Sequence, residues 1–286
     1  MTKVGFPGLN IGSFELDPIA IHIGKGVYWY GIIIAIGFVC AVLLGSRRAK
    51  RMDINQDVVY DLVLWGLPTA IVCARLYYVL GDLSSYSSFM GVIAIWDGGL
   101  SIYGAVIGAS LVGLVYSKIK KLPMGKVFDM AAPCLMVGQI IGRLGNFMNA
   151  EVYGRITTLP WRMYLKSSNP FDITMLPEQG VHPLFLYEQV WMIIGLIGIL
   201  AFEKHKKHNG EVFITYILWY SLGRAWMEML RYNEFVLKIF NMPLSFATAI
   251  AIVVCAAGAL IWMRLRLRKK PCGCAGEALP ENSETE

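Results

Sequence analysis

Long apolar runs alternate with short polar connections along the chain, and this pattern predicts a bundle of membrane helices. Seven runs are long enough to cross the roughly 30 Å hydrocarbon core of a bilayer. They begin near Val27, Val58, Gly99, Met130, Leu184, Val212 and Leu244. The predicted fold is therefore an all-α integral membrane protein with seven transmembrane helices.

Clusters of lysine and arginine occupy alternate connections and the segment after the last run, at residues 47–51, 118–126, 204–207 and 264–270. Positive charge favours the cytoplasmic side of a membrane, so we expect the N-terminus outside and the C-terminus in the cytoplasm. The same clusters account for the net charge of +6 through attraction to anionic lipid. They predict membrane lipid as a partner and no nucleic acid.

This topology divides the chain into four parts. Residues 1–149 hold an N-terminal segment and transmembrane helices 1–4, and residues 184–270 hold helices 5–7. Between them, residues 150–183 are too polar for a bilayer and are expected to form a small extracytoplasmic head between helices 4 and 5. Residues 271–286 have the composition of a disordered cytoplasmic tail. The six cysteines predict no disulfide framework, because four lie within the apolar runs.

Polar residues inside the predicted helices converge on one side of the membrane. Their depths follow from the helical rise of about 1.5 Å per residue and the direction of each helix. Those in the outer half are Tyr30, Arg75, Tyr103, Arg143, Asn146, Glu188, Arg224, Glu228 and Arg231. Because an unpartnered charge at the bilayer centre costs about 2.5–3.5 kcal/mol, the pattern predicts an outward-facing polar cavity.

One stripe of the sixth predicted helix carries an aromatic residue, a cation, an anion and a second cation, which are Tyr220, Arg224, Glu228 and Arg231. Across the cavity, arginines outnumber carboxylates. An anionic ligand, most naturally a phosphate, would complete the balance, since guanidinium donors match phosphate oxygens. The alternative is that the arginines only pair with carboxylates and backbone carbonyls between helices. This alternative applies most readily to Arg75.

The segment from Gly142 to Gly154, GRLGNFMNAEVYG, resembles the signature of the prolipoprotein diacylglyceryl transferase family. Five further blocks agree in order and spacing: WYG at 29–31, ARLYYV at 74–79, WDGGLSIYG at 96–104, HPLFLYE at 182–188 and YSLGRAWMEMLR at 220–231. The resemblance extends from the first helix to beyond the sixth. A signature of thirteen residues with this support is far more specific than a lone short motif.

The resemblance implies a multi-pass enzyme of the bacterial cytoplasmic membrane whose active site faces outward. Its reaction would transfer the diacylglyceryl group of phosphatidylglycerol to the lipobox cysteine thiol of a prolipoprotein signal peptide. A thioether would form and glycerol 1-phosphate would leave. The resemblance implies no metal or cofactor.

Two arginines in these blocks, Arg143 and Arg224, would be catalytic by holding the phosphate and stabilising charge on the departing glycerol phosphate. The expected substrate-binding residues are Tyr30, Arg75, Asn146, Glu151, Gly154, Tyr220, Glu228 and Arg231. Asn146 and Gly154 would shape the pocket, and the two tyrosines would orient the headgroup. The two glutamates would fix the arginines.

One position departs from the family pattern. Tyr103 stands in WDGGLSIYG where many members carry a histidine, the usual candidate for the base that takes the thiol proton. Tyrosine, with a reference pKa of about 10, is a poor base at neutral pH, whereas a thiol of pKa about 8.5 already ionises slightly. Two catalytic roles are therefore open: a deprotonated Tyr103 acts as base, or Tyr103 only positions a substrate. We favour the second.

Two other functions compete with a transferase. An anion transporter would need polar residues that continue to the cytoplasmic side, where the sequence offers little beyond Asp61 and Asp129 and no inverted repeat. A non-catalytic phospholipid-binding protein on the same fold would suit Tyr103. The intact Arg143, Asn146 and Arg224 argue against it.

Overall fold

The computed structural model describes residues 2–24, 26–83, 86, 88–166, 180–231, 236–237 and 242–266. The helices in these ranges are α1 Trp29–Arg51, α2 Asp57–Gly81, α3 Phe89–Ile93, α4 Ile102–Ile119, α5 Met124–Met148, α6 Leu184–Glu203, α7 Glu211–Glu228 and α8 Leu244–Arg266. The predicted tail, 271–286, and part of the predicted head lie outside the described residues.

Six of these helices, all the long ones except α7, are long and apolar enough to cross a membrane. This confirms an α-helical, multi-pass membrane protein. Helix α7 has 18 residues, but Glu211, Arg224 and Glu228 lie within it. Its crossing, and hence the count of seven spans, stays a prediction.

Six of the seven predicted helices begin within three residues of the predicted positions, and the short α3 was not predicted. The exception is α5, which begins at Met124 instead of near Met130. Its first turns contain Lys126 and Asp129, so they do not belong to the apolar run. Asp129 is nevertheless fully buried, because its carboxylate accepts hydrogen bonds from the backbone N–H groups of Gly210 and Phe213, each at 2.9 Å. Tertiary contacts therefore extend the helix beyond its apolar part.

Helix α5 is the hub of the bundle, since it packs against α1, α4, α6 and α7. A second close pair, α2 with α4, depends on glycine. A Cβ atom at Gly108 would lie 2.9 Å from the carbonyl oxygen of Thr69, and one at Gly104 would lie 2.8 Å from Cα of Ala74. These two glycines form the small-xxx-small face that lets transmembrane helices approach closely.

Short strands lie at one end of the bundle, which we call the head end. They are β1 Thr2–Phe6, β2 Ile11–Leu16, β3 Ile19–Ile21, β4 Val27–Tyr28, β5 Ile156–Thr157, β6 Tyr164–Lys166, β7 Gly180–Val181, β8 Val236–Leu237 and β9 Met242–Pro243. An antiparallel sheet of order β2-β1-β6 joins the N-terminal hairpin to the segment after α5. Its core contains Val4, Met163 and Val181, which pack with Phe185 of α6. The N-terminal segment is thus part of the head.

The opposite end, near the lysine clusters, we call the basic end. It holds more buried charge than the sequence led us to expect. Arg48 forms a bidentate pair with Glu203 at 2.7 and 2.8 Å, and Glu211, fully buried, pairs with Arg264 at 3.0 Å. The expectation of little beyond Asp61 and Asp129 was therefore wrong. These side chains sit at helix ends, where the apolar runs no longer reveal what is buried.

Candidate functional site

Two arginines and two glutamates from three helices form a chain of ion pairs at the head end. Glu188 of α6 lies between Arg143 of α5, with which it forms a salt bridge, and Arg224 of α7, whose Nη1 is 3.5 Å from its Oε1. Arg224 also pairs with Glu228, one turn along α7, at 2.8 Å. We call these four residues the arginine–glutamate network. It brings together both predicted catalytic arginines.

The carboxylates of this network are more deeply buried than its cations. The side chains of Glu188 and Glu228 are 7% and 5% exposed, whereas those of Arg143 and Arg224 are 21% and 27% exposed. Within the described residues, the Nε atoms of both arginines donate no hydrogen bond. The arginines therefore retain open edges on the solvent side of the network.

The predicted excess of positive charge is not found among these four residues, since two arginines face two carboxylates. Glu188 is the reason: the sequence indicated it only as a nearby carboxylate, but it contacts both arginines. Its place in the block HPLFLYE was the signal that could have identified it. An anion would bind here through the open guanidinium edges, not through a surplus of charge.

The network continues through the turn that follows α5. Arg143 Nη1 donates to Asn146 Oδ1 at 3.3 Å, and Asn146 Nδ2 donates to Glu151 Oε1 at 3.0 Å. The turn is set by Ala150 and Val152, whose φ angles of 50° and 60° reverse the chain around Glu151. Glu151 thus acts on the arginine through Asn146 and not by a direct ion pair.

Gly154, predicted to shape the pocket, is packed against the protein itself. A Cβ there would lie 2.6 Å from the Leu230 carbonyl oxygen and 3.0 Å from His182 Cβ. Its backbone N–H donates to the His182 carbonyl at 2.8 Å. The missing side chain lets the segment after α5 lie directly on the end of α7. Gly154 therefore supports the position of the network through its packing against Leu230 and His182.

Arg75 fits the alternative in which an arginine only pairs with groups between the helices, because backbone carbonyls accept hydrogen bonds from all three of its side-chain nitrogens. Its side chain is buried, with 7% exposed, and its guanidinium donates to the carbonyls of Gly91, Val92, Gly98 and Gly99 at 2.6–3.1 Å. Gly99 has φ of 71°, and a Cβ there would lie 2.6 Å from Arg75 Nη1. Arg75 therefore fastens the connection between α2 and α4.

The predicted site tyrosines lie at the edges of this region. Tyr30 of α1 packs on α5, where a Cβ at Gly145 would lie 2.9 Å from its ring. Tyr220 is 36% exposed, one turn before Arg224 on α7. Tyr103 is 65% exposed, and its ring contact is with Tyr77 of α2 at 6.0 Å. The structure thus gives Tyr103 no described contact with the arginine–glutamate network.

Two head residues, His182 and Trp161, contact the hydroxyl of Tyr187 in the first turn of α6. His182 Nδ1 lies 3.2 Å from the Tyr187 hydroxyl, which also accepts from Trp161 Nε1 at 2.6 Å. Partial burial lowers the pKa of His182 below its usual value, which favours the neutral imidazole. Arg231, also a predicted site residue, accepts a bond from Arg155 Nε through its backbone carbonyl at 3.3 Å.

The chemistry available here is that of anion binding and charge stabilisation. Guanidinium groups match the oxygens of phosphate in forked contacts, so the exposed edges of Arg143 and Arg224 are the groups of this network that suit an anion. In the part of the chain that the structure describes, no group of three His, Cys, Asp or Glu side chains could hold a metal ion.

The amino-acid sequence is similar to those of known proteins of one family. The sequence profile described as prolipoprotein diacylglyceryl transferase matches residues 18–264. Proteins named phosphatidylglycerol–prolipoprotein diacylglyceryl transferase are similar over nearly their full lengths. The one from Pediococcus pentosaceus is 39% identical over 92% of this chain and 95% of its own. Those from Listeria monocytogenes and Lysinibacillus sphaericus are each 38% identical, over 90% and 91% of this chain and 93% and 97% of their own.

Proposed function

Because the chain belongs to the prolipoprotein diacylglyceryl transferase family, we propose that it transfers the diacylglyceryl group of phosphatidylglycerol to the lipobox cysteine of prolipoproteins. The single observation that carries this proposal is the shared carboxylate of Glu188, which holds Arg143 and Arg224 side by side with open edges. A phosphate diester headgroup fits such a pair.

In the proposed reaction the cysteine thiolate attacks the diacylglyceryl carbon that carries the phosphate oxygen. The C–S bond forms as that C–O bond breaks, and the electron pair stays on the departing phosphate oxygen. Negative charge grows on the glycerol 1-phosphate in the transition state. Arg143 and Arg224 stabilise that charge, and Glu188 and Glu228 hold the guanidinium groups in place so that little reorganisation is needed.

The remaining residues then have supporting roles. Asn146 and Glu151 orient Arg143, while Tyr30, Tyr220 and Arg231 line the approach of the headgroup. Arg75 acts at a distance by holding the connection that leads to α4. For Tyr103, the exposed position and the absence of a described contact with the arginines favour positioning of a substrate over proton abstraction. The thiolate then forms in the cationic field or by proton transfer to a phosphate oxygen.

The proposal includes a topology. The chain crosses the bacterial cytoplasmic membrane seven times, with the N-terminus and head outside and the C-terminus inside. The site faces outward, where the signal peptide's cysteine lies near the membrane surface. Lysine and arginine clusters at the basic end support this orientation. They also make membrane lipid, and not nucleic acid, the expected polyanionic partner.

The competing functions fit the contacts less well. An anion transporter needs polar groups with spare capacity along its path, but at the basic end Arg48 is engaged by Glu203 and by the carbonyls of Asp129 and Met130. A non-catalytic lipid-binding protein has no need for two arginines fixed by buried carboxylates. It remains the second candidate, and the experiment below separates it from the first.

The test mixes purified protein with phosphatidylglycerol and a peptide that contains a lipobox cysteine. Mass spectrometry should detect the diacylglyceryl thioether and glycerol phosphate in equal amounts. A peptide with serine in place of the cysteine is the control and should give neither product. Lipid binding without either product would reject the transferase and support the non-catalytic alternative.

A further inference from the structure

Helices α6 and α7 are joined by two stacked tryptophans about one turn below the ion pair between Glu188 and Arg224. The indoles of Trp191 and Trp219 lie 4.3 Å apart between centroids, with 14° between their planes. Each indole N–H donates to the backbone carbonyl of the other tryptophan, at 3.1 Å and 3.0 Å. The contact is therefore reciprocal.

A glycine one turn after each tryptophan makes this contact possible. Gly195 follows Trp191 in WMIIG, and Gly223 follows Trp219 in WYSLG. A Cβ at either glycine would overlap the indole from the opposite helix. The same bare backbone exposes the tryptophan carbonyl, which can accept the indole N–H in addition to its helical bond. We call these four residues the tryptophan–glycine joint.

The joint lies close to the catalytic geometry on both helices. Trp191 is three residues from Glu188, and Gly223 directly precedes Arg224. The separation and the register of α6 relative to α7 are fixed by the stacked indoles, by their two hydrogen bonds and by the close packing of each indole on a glycine of the other helix. A small slide between these helices would move Glu188 away from Arg224 and change the distance between the two guanidinium groups.

We infer that Trp191 and Trp219 are positioning residues that hold Glu188 and Arg224 in the register needed to stabilise the departing phosphate. This inference rests on the proposed transferase function and adds residues to it. The joint touches no reacting atom; it acts through the arginine–glutamate network. Because misplacement by about 1 Å can cost about 100-fold in rate, a tight joint at this point matters for turnover.

Helix α6 offers a matched pair of glycines for the test. An added methyl at Gly195 meets the Trp219 indole, whereas one at Gly198 meets nothing within 4 Å. Both changes replace glycine by alanine within the same helix, so their effects on helix propensity are equivalent. We expect Gly195→Ala to lower kcat for thioether formation about 10- to 100-fold with KM changed less than about threefold, while Gly198→Ala leaves both near wild type.

Two further measurements separate positioning from folding. In the Trp219→Leu background the methyl no longer meets an indole, so Gly195→Ala should lower kcat by less than about twofold there. The stacked indoles should also give a coupled circular dichroism signal that Gly195→Ala weakens and Gly198→Ala keeps.

Two outcomes would overturn the inference. One is an equal kcat for the two glycine variants. The other is a fall in the thermal midpoint of Gly195→Ala that accounts for its lost activity, with kcat of the folded fraction unchanged. A wild-type protein that makes no thioether would instead reject the transferase itself.

Discussion

At the basic end of the bundle all three side-chain nitrogens of Arg48 donate hydrogen bonds within the protein, whereas at the head end the Nε atoms of Arg143 and Arg224 donate none to any residue that the structure describes. Arg48 contacts both oxygens of Glu203 and two backbone carbonyls, and its side chain is 7% exposed. The head-end arginines are three to four times as exposed. Buried charge is therefore common to both ends, and what distinguishes the proposed site is the greater exposure of its arginines.

Arg75 sharpens the same contrast, because it shares the head end with the site but resembles Arg48 in its contacts. All of its described hydrogen-bond acceptors are backbone carbonyls of a single connection, and its guanidinium also lies over the rings of Tyr78 and Tyr86. An arginine of this kind stabilises structure. Its predicted depth in the outer half of the membrane was the reason for including Arg75 among the site residues. Its hydrogen bonds are what distinguish it from Arg143 and Arg224.

The largest expected effect is loss of transfer in Arg143→Ala. Removing one preorganised donor from a developing oxyanion typically costs about 100- to 1,000-fold, and Glu188 would also lose a partner. We expect at least a 100-fold fall in kcat with expression and thermal midpoint largely kept. Arg143→Lys should recover little, since an ammonium cannot make the forked contact. Near-normal turnover in Arg143→Ala would defeat the assignment.

Arg48→Ala should have the opposite effect to Arg143→Ala, because it should lower the free energy of unfolding more than it lowers kcat. It leaves Glu203 without its cation, and breaking a buried pair costs about 3–5 kcal/mol. Because the Glu203 side chain is 23% exposed, the lower figure is expected. Unfolding in mixed detergent micelles measures it. The paired change of Arg48→Met with Glu203→Met should cost less than Arg48→Ala alone; equal costs would contradict the ion-pair explanation.

The third prediction concerns Arg75→Lys, which keeps the charge but loses most of the bonds to the four carbonyls. Each buried carbonyl left unpaired costs about 1–3 kcal/mol, so the connection between α2 and α4 should become less stable. We therefore expect this connection to become more accessible to protease and turnover to fall about tenfold. The affinity for phosphatidylglycerol should change less than in Arg143→Ala. An equal loss of lipid affinity in both variants would restore Arg75 to the binding residues.

Much of this architecture could be predicted because membrane helices are encoded by apolar runs. The starts of α6 and α8 were predicted near Leu184 and Leu244, and the two helices begin at these residues. The start of α5 was not, since buried charges such as Asp129 are satisfied by partners from α7 that are distant in sequence. The pairs at the basic end, Arg48 with Glu203 and Glu211 with Arg264, were missed for the same reason, because their partners are also distant in sequence.

At the site, depth and spacing were enough to group the arginines but not to say what each contacts. Arg143 and Arg75 look alike in the sequence, and their difference depends on which oxygens lie within reach after folding. Glu188 was undervalued for the same reason: its sharing between α5 and α7 arises only from the packing of three helices. The tryptophan–glycine joint had a local signal, the W-x-x-x-G spacing on two consecutive helices.

Tyr103→Phe tests whether the hydroxyl of Tyr103 takes part in the chemistry or only positions a substrate. If the residue only positions a substrate, removing its hydroxyl should lower kcat by no more than about tenfold, comparable to the loss of one neutral hydrogen bond. Complete loss would show that the hydroxyl takes part in the chemistry. Tyr116→Phe is the matched control at the basic end, because that hydroxyl donates to Asp61 at 2.6 Å, at the opposite end of the bundle from the arginine–glutamate network. It should affect stability and not kcat.

The smallest expected effect is the contribution of His182, at the head end, to the dependence of stability on pH. Burial lowers the pKa of His182 in the folded protein below its unfolded value of about 6.5. The folded state then binds protons less readily than the unfolded state, so its stabilisation is present above pH about 6.5 and is lost as the pH falls through the folded pKa. His182→Gln should reduce the fall in thermal midpoint between pH 7.5 and 5.5, since glutamine does not titrate. A steeper pH dependence in His182→Gln than in the wild type would mean that protonation of His182 stabilises the head.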